Sequence, residues 1–324
     1  MQQLTYIVSG TADAQRKAEQ AKVKLDRIPH IESLLITIAA PCEMPMEKAI
    51  RMRDAVRELF PTARILAHTC ALKMADLRLD TDGVMLTITA LEASQAEFVI
   101  VEGNTSDAAA KEHFVHFVGA RPHTKVIEFF VVGLLDRIDD LFEGISAIDQ
   151  RIKVFGAFVD AVPANAHGYI IADDVTMRLG VLGIVFHGAA LDVHVVRNFG
   201  WNPLGREIVA TRVKGCTIQE LDGGTPLNIY ERYFGIKGDG DFSSDAALFP
   251  LCFEEEDGSV SARVPLNIEA ETGELTFGIP IPEGTKFRLA YGDPYGSGEC
   301  TGNVGVLAAG HPRDGLCGAL SPAW

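Results

Sequence analysis

Strand and helix patterns alternate through the first 158 residues and then stop alternating, and this break limits the fold more than any single motif. Thr5–Ser9 reads as a short strand, and Asp13–Arg27 as a helix with Ala14, Ala18, Ala21 and Leu25 at helical spacing. Leu34–Ala39 is a continuous apolar run of buried-strand length. Met46–Phe60 is an amphipathic helix that Pro61 stops, and Arg64–Ala67 is another strand. This β-α-β-α-β succession calls for a sheet with helices laid over it. Strands at Gly83–Leu91 and Phe98–Val101 follow, then a helix from Ser106 to Val118, strand Lys125–Val132, helix Asp136–Ile148 and strand Ile152–Phe158.

Residues 168–213 are rich instead in β-branched runs and read as hairpins and antiparallel strands. Thr225 and Pro226 open a short helix over 225–234. The Gly/Asp/Ser/Glu-rich stretch 237–257 reads as an exposed loop, and 259–291 as a β-rich return. The glycine-rich tail 295–324 has no periodicity and predicts no regular element. Arg64–Leu91 and Lys153–His187 share one plan, strand, polar loop, hairpin glycine and strand, with Gly180 in the place of Gly83. The fold class is therefore α/β: mixed sheets with covering helices, a hint of internal duplication, and an antiparallel, β-rich second half.

The 324 residues are 47% hydrophobic, enough for two domains or one large duplicated one. A net charge of −15 without any basic run argues against nucleic acid or an anionic membrane as partner. The N-terminus lacks the pattern of a signal peptide, and the longest apolar run, Val126–Leu135, holds Glu128 and falls short of a bilayer span. A cytoplasmic protein is expected. Cys42, Cys70, Cys216, Cys252, Cys300 and Cys317 are scattered without a CxxC, as free thiols in a reducing compartment would be.

The densest set of chemically distinctive residues is Phe199-Gly200-Trp201-Asn202-Pro203-Leu204-Gly205, followed by Leu221-Asp222-Gly223, Pro226 and Tyr230. Two glycines and a proline suggest a tight turn presenting an indole, with a carboxylate turn beyond it. Such a pair could clasp a small ligand or form a packed corner between strands. The run GWNPLG, AT-x-V-x-G and LDG-x2-P-x3-Y resembles the FIST sensory domain of bacterial signalling proteins. The resemblance continues through Phe249-Pro250-Leu251, Ile281-Pro282-Glu283-Gly284, Arg288-Leu289 and Gly292-Asp293, and upstream through Phe155-Gly156-Ala157-Phe158 with Asp160. It implies a FIST N-type domain over 1–215, an incomplete FIST C-type region over 216–294 and an irregular tail over 295–324. It also implies a non-catalytic input module that binds a small polar metabolite such as an amino acid. Such a module would signal to a separate output protein of diguanylate cyclase or histidine kinase type, in cyclic-di-GMP or two-component signalling.

A ligand pocket is expected where strand end 67–70 and the turns at 156–160 and 198–205 converge. Its candidate residues are His68, Thr69, Cys70, Gly156, Asp160, Asn198, Gly200, Trp201, Asp222 and Tyr230. Strand ends of α/β sheets leave crevices with free backbone groups. Asp160 and Asp222 would accept a ligand ammonium. No cofactor is expected. The alternative implied by the resemblance is a nitric oxide sensor with haem b on His68. His113 and His116 share a helix face and could bind a metal with His123, although a solvent-facing pair is the simpler reading. Cys70 with His68 could form a nucleophile–base pair, but no third orienting group completes an enzyme site. The run Glu254-Glu255-Glu256-Asp257 reads as a solvated loop that could hold calcium loosely.

Overall fold

The computed structural model describes residues 1–70, 73–75, 78–80, 82–103, 105, 107–133, 144, 147–159, 168–196, 201–238, 242–254, 260–269, 271–277, 281–292 and 305–308. The chain forms two compact units, Met1–Val196 with Val304–Trp324, and Arg197–Asn303.

The first unit runs β1 (Gln2–Val8), α1 (Thr11–Leu25), β2 (Ser33–Ala40), α2 (Met46–Leu59), β3 (Arg64–Thr69), β4 (Lys73–Ala75), β5 (Arg78–Asp80), β6 (Val84–Leu91) and β7 (Gln95–Glu102). It continues with α3 (Asp107–Gly119), β8 (Thr124–Val132), β9 (Lys153–Phe158), β10 (Ile170–Ala172), β11 (Val175–Met177), β12 (Gly180–His187) and β13 (Val193–Val196). Two mixed sheets result, ordered β1-β6-β2-β3-β10-β11 and β7-β12-β8-β9. The alanine spacing of α1 explains the outermost layer: Ala14, Ala18, Ala21 and Leu25 are all buried, with Ala49, Met52 and Val56 of α2, against Ile36, Ile38, Ile65 and Leu86 of the first sheet. The other face of that sheet, through Leu35, Leu66 and Ile170, meets Phe98, Phe130 and Leu182 of the second. Phe114 and Val118 of α3 cover the far side of the second sheet against Ile127, Phe129 and Val131. The unit is thus a four-layer α-β-β-α stack.

The internal duplication is written in the strand registers. Val8 pairs with Val84 across β1–β6 as Val101 pairs with Val181 across β7–β12. Leu35 sits between Arg64 and Thr89, and Val126 between Lys153 and Phe186. Even the strand-end bond repeats: the Cys70 amide donates to Ala40 and the Val159 amide to Val131, both at 2.7 Å. The halves differ in one respect. Hairpin β10–β11 leaves its own half and pairs with β3, so that Ile170 faces His68. The helix expected over 136–148 lies mostly outside the described residues.

That hairpin is held by an ion network that the sequence reading missed. Asp173 occupies the left-handed region at φ 51° in the β10–β11 turn. Its carboxylate accepts from Arg57 (2.8 Å), Arg64 (2.8 Å) and the Ile65 amide (3.0 Å). Arg53 donates to its backbone carbonyl. Burial alone would raise the Asp173 carboxyl, but the Ile65 amide and the two guanidinium groups outweigh it and hold the group below its ordinary range.

The second unit contains β14 (Trp201–Lys214), β15 (Thr217–Leu221), α4 (Pro226–Phe234), α5 (Phe242–Ala247), β16 (Leu251–Glu254), β17 (Val260–Arg263), β18 (Asn267–Ile268), β19 (Leu275–Thr276) and β20 (Lys286–Gly292). Its described strands form one antiparallel sheet, β17-β16-β20-β14-β15-β19-β18. Thr225 precedes α4, Pro226 opens it, and Gly235 closes it at φ 69°. Three expectations need correction. The run from Trp201 is not a tight turn: Trp201–Leu204 pair in register with Gly292–Leu289, and Gly205, at φ 72°, serves a bulge before Ile208. The stretch 237–257 is not a plain exposed loop. Its polar composition hides Phe242, Ala246, Leu251 and Cys252, which α5 and β16 bury. Within the tail, Gly305–Ala308 forms a strand (β21) antiparallel to β13, a pairing that periodicity in four residues cannot signal. The domain boundary expected at 215/216 falls in the turn of the β14–β15 hairpin.

Candidate functional site

The parallel pair β2–β3 ends in a group of buried polar side chains. Strand alternation sends Ile65 and Ala67 towards α1 and α2, and Leu66 and His68 into the layer between the sheets. There the His68 ring lies 4.8 Å from the ring of Phe130. His68 Nδ1 is 2.9 Å from the Thr69 carbonyl oxygen, which can only accept, so Nδ1 carries the proton. Burial and the nearby Lys73 cation pull the imidazole down to about 4 against the Thr69 bond, leaving the ring neutral.

The neighbouring groups come from four segments. The Thr69 amide donates to the Tyr169 carbonyl, and the Tyr169 amide donates to Thr69 Oγ1, both at 3.2 Å. Cys70 is 9% exposed. Lys73, only 1% exposed, donates from Nζ to the Cys70 carbonyl at 3.3 Å. Tyr169 is 1% exposed, and its hydroxyl is buried without a hydrogen-bond partner among the described residues. Burial pushes that phenol above its ordinary range; Arg178 opposes the shift, and Cys42 and Glu47 add to it. On the facing sheet Glu128 is 8% exposed, and burial raises its carboxyl to about 8. A fixed neutral histidine and a buried lysine at a strand end, with an unsatisfied hydroxyl on the other face of the same sheet, are groups suited to polar recognition.

Comparison with known families decides the assignment. A model described as the FIST N domain matches residues 34–224, and one described as the FIST C domain matches 226–317. The chain belongs to the FIST family. FIST domains are sensory domains of signal-transduction proteins rather than catalytic ones. The FIST C match extends to 317, past residue 294, where the sequence reading ended that region. No curated protein matches the chain.

The other site residues expected of a FIST chain fall in several places. Gly156 lies in β9, where a Cβ would come within 2.2 Å of the Phe129 carbonyl oxygen. Its missing side chain therefore serves the β8–β9 approach. Gly156→Ala is expected to destabilise the protein by about 2 kcal/mol through overpacking, as read by urea denaturation. Asp160, Asn198 and Gly200 lie outside the described residues.

Trp201, Asp222 and Tyr230 belong to the second unit. Trp201 is half-buried at the start of β14. Asp222, at φ 50°, accepts from the Val209 amide (2.8 Å) and pairs with Arg206 (2.7 Å); that amide first, then Arg206, keeps it below its ordinary range. Its oxygens thus fasten the β14–β15 hairpin. Tyr230 is fully buried, 5.5 Å from the Phe242 ring, and donates to the Phe249 carbonyl at 3.0 Å. It builds the core of its unit. An open cleft of about 420 Å³ lies beside it, lined by Phe234, Gly235, Ile236, Lys237, Asp245, Leu248 and Phe249.

His113 and His116 are exposed on α3 while Phe114 turns inward. Among the described residues no three His, Cys, Asp or Glu side chains are placed to hold a metal. A haem iron on His68 would need Nε2, on a ring 6% exposed and packed against Phe130. The residues present make no seat for it without opening the layer. No described helix is long and apolar enough to cross a membrane. Glu255, Glu256 and Asp257 of the proposed calcium loop lie outside the described residues.

The structure thus brings His68, Thr69 and Cys70 together with Lys73 and Tyr169, which the sequence reading did not name. Lys73 stands three residues past Cys70 in a run without motif. Tyr169 joins only through the β3–β10 pairing, which no local pattern announces.

Proposed function

We propose that this FIST chain is a non-catalytic input module that binds a small polar metabolite, an amino acid being the first candidate, at the carboxyl end of β3. A separate output protein of diguanylate cyclase or histidine kinase type would read the bound state. The observation that supports this reading best is the Tyr169 hydroxyl. It is buried on the α1 and α2 side of the first sheet, with no partner among the described residues, while the Tyr169 amide bonds Thr69 Oγ1 at the β3 end. A buried hydroxyl left unpaired costs about 1–3 kcal/mol, and a ligand that pairs with it recovers that cost only when bound.

A thermal-shift screen of the twenty amino acids tests this, because a ligand of the folded state raises apparent stability. Tyr169→Phe removes the hydroxyl and keeps the ring. The variant is expected to be as stable as the native chain, or about 1 kcal/mol more stable, and to lose the ligand response. A response of native size in Tyr169→Phe would remove the site from the β3 end. Failure of all twenty would remove the amino acid.

A further inference from the structure

We propose that the first unit is itself a proton sensor, in which loss of the Glu128 proton separates the two sheets. The position of this side chain carries the argument. Along β8, Ile127, Phe129 and Val131 point to α3, while Phe130 and Val132 point into the layer between the sheets. Glu128 shares the parity of the second set and therefore stands in that layer. Its in-register neighbours are Ile184 on β12 and Phe155 on β9. Strand β8 is internal to its sheet, and Glu128 is 8% exposed.

The facing sheet contributes the apolar Leu35 of β2, Leu66 of β3, Leu91 of β6, Ile170 and Ala172 of β10 and Met177 of β11, and alternation puts the neutral Thr37 of β2 and Thr87 and Thr89 of β6 on the same face. The titratable described residues in this layer from that side are Arg64, whose guanidinium lies 5.9 Å from the Phe98 ring centre, and His68, on the ring of Phe130, two residues along from Glu128. Lys73, from β4, acts on His68 and depresses its protonation. Among the described residues the Glu128 side chain has no hydrogen bond and no ion pair. The repeat makes the placement specific: the register-equivalent position in the first sheet, between Leu66 and Thr87, is Thr37, a neutral and half-exposed residue.

A carboxylate formed in such a layer must be hydrated or ion-paired. Burial already holds the acid form up to about pH 8, so the closed stack is the protonated one. Above that, the cheapest hydration route is to part the two sheets. Each sheet keeps its own helix-covered core, one under α1 and α2 and the other under α3. A sensor needs two states that differ in affinity for its signal, and here the signal is a proton.

Hydrogen–deuterium exchange of the full chain at pH 6.5 and pH 9, corrected for the chemical exchange rate, tests the proposal. Amides of β8 and β12 should lose protection at least tenfold at pH 9 while those of α1 keep theirs. In Glu128→Gln the loss should vanish. Glu128→Leu, apolar throughout, should behave like Glu128→Gln and serves if the amide variant does not fold. Full protection to pH 9 in the native chain overturns the proposal. So does native-like loss in either variant, or α1 opening in step with β8. If neither variant folds at pH 6.5, the carboxyl is needed for closure itself, and the proposal fails.

Discussion

Asp173→Ala should lower the stability of the protein by about 3 kcal/mol, measured by urea denaturation at neutral pH. Three losses add. The Ile65 amide, at the start of a central strand, loses its acceptor. Arg57 and Arg64 lose a shared carboxylate at 2.8 Å, in a site where Asp173 is only 20% exposed. Alanine also fits poorly at φ 51°, where aspartate is tolerated, at a cost of about 1 kcal/mol. Asp173→Asn keeps the backbone preference and one acceptor oxygen and should lose about half as much. Equal losses in the two variants would show that charge, not shape, holds the turn.

Glu128→Gln should stabilise the protein, and by an amount that grows with pH. In the unfolded chain the carboxyl ionises near 4.5, whereas in the fold burial delays this to about 8. Below 4.5 it is neutral in both states, and native and variant chains should be nearly equal. From 4.5 to 8 only the unfolded chain releases the proton, so native stability falls steadily with rising pH. Above 8 the difference levels off at about 4–5 kcal/mol, since each tenfold change in proton affinity is worth about 1.36 kcal/mol. Denaturant titrations at pH 5 and pH 8 check this; a gap that does not widen between them rejects the buried acid. His68 acts on the acid side. It is neutral in the fold down to about 4 but protonates near 6.5 when unfolded, so it removes stability as pH falls from 6.5 to 4.

Local chemistry made much of the fold legible. The alanine stripe of α1, Pro61 after α2 and the continuous apolar run of β2 each act within a few residues, and each element stands where those signals place it. The repeat was visible through Gly83 and Gly180, because both glycines precede or open strands that return to equivalent partners. Non-local partners were not legible. Asp173-Asp174 reads as any turn until Arg57 and Arg64 arrive from over a hundred residues away. Trp201 carries proline and glycine neighbours that mark a turn, yet pairing with β20 overrides them and confines the irregularity to a bulge. At the site His68, Thr69 and Cys70 could be named from a strand end alone. Tyr169 depends on a strand crossing between halves. Glu128 stood out in the sequence only as a break in an apolar run; its meaning needed the second sheet.

The crossing of β10–β11 to β3 has a consequence for synthesis. When the first half leaves the ribosome, its sheet stops at β3, and the outer edge of that strand, with Leu66 and Ala67 fully buried in the finished protein, stays open. The partner for that edge begins at residue 170, so about a hundred residues must be translated before it is sealed, some five to twenty seconds at ordinary elongation rates. An open strand edge recruits other chains. Aggregation during expression should therefore track the time spent between residues 69 and 172, and slowing translation in that window should cost soluble yield more than slowing it anywhere after the hairpin has docked.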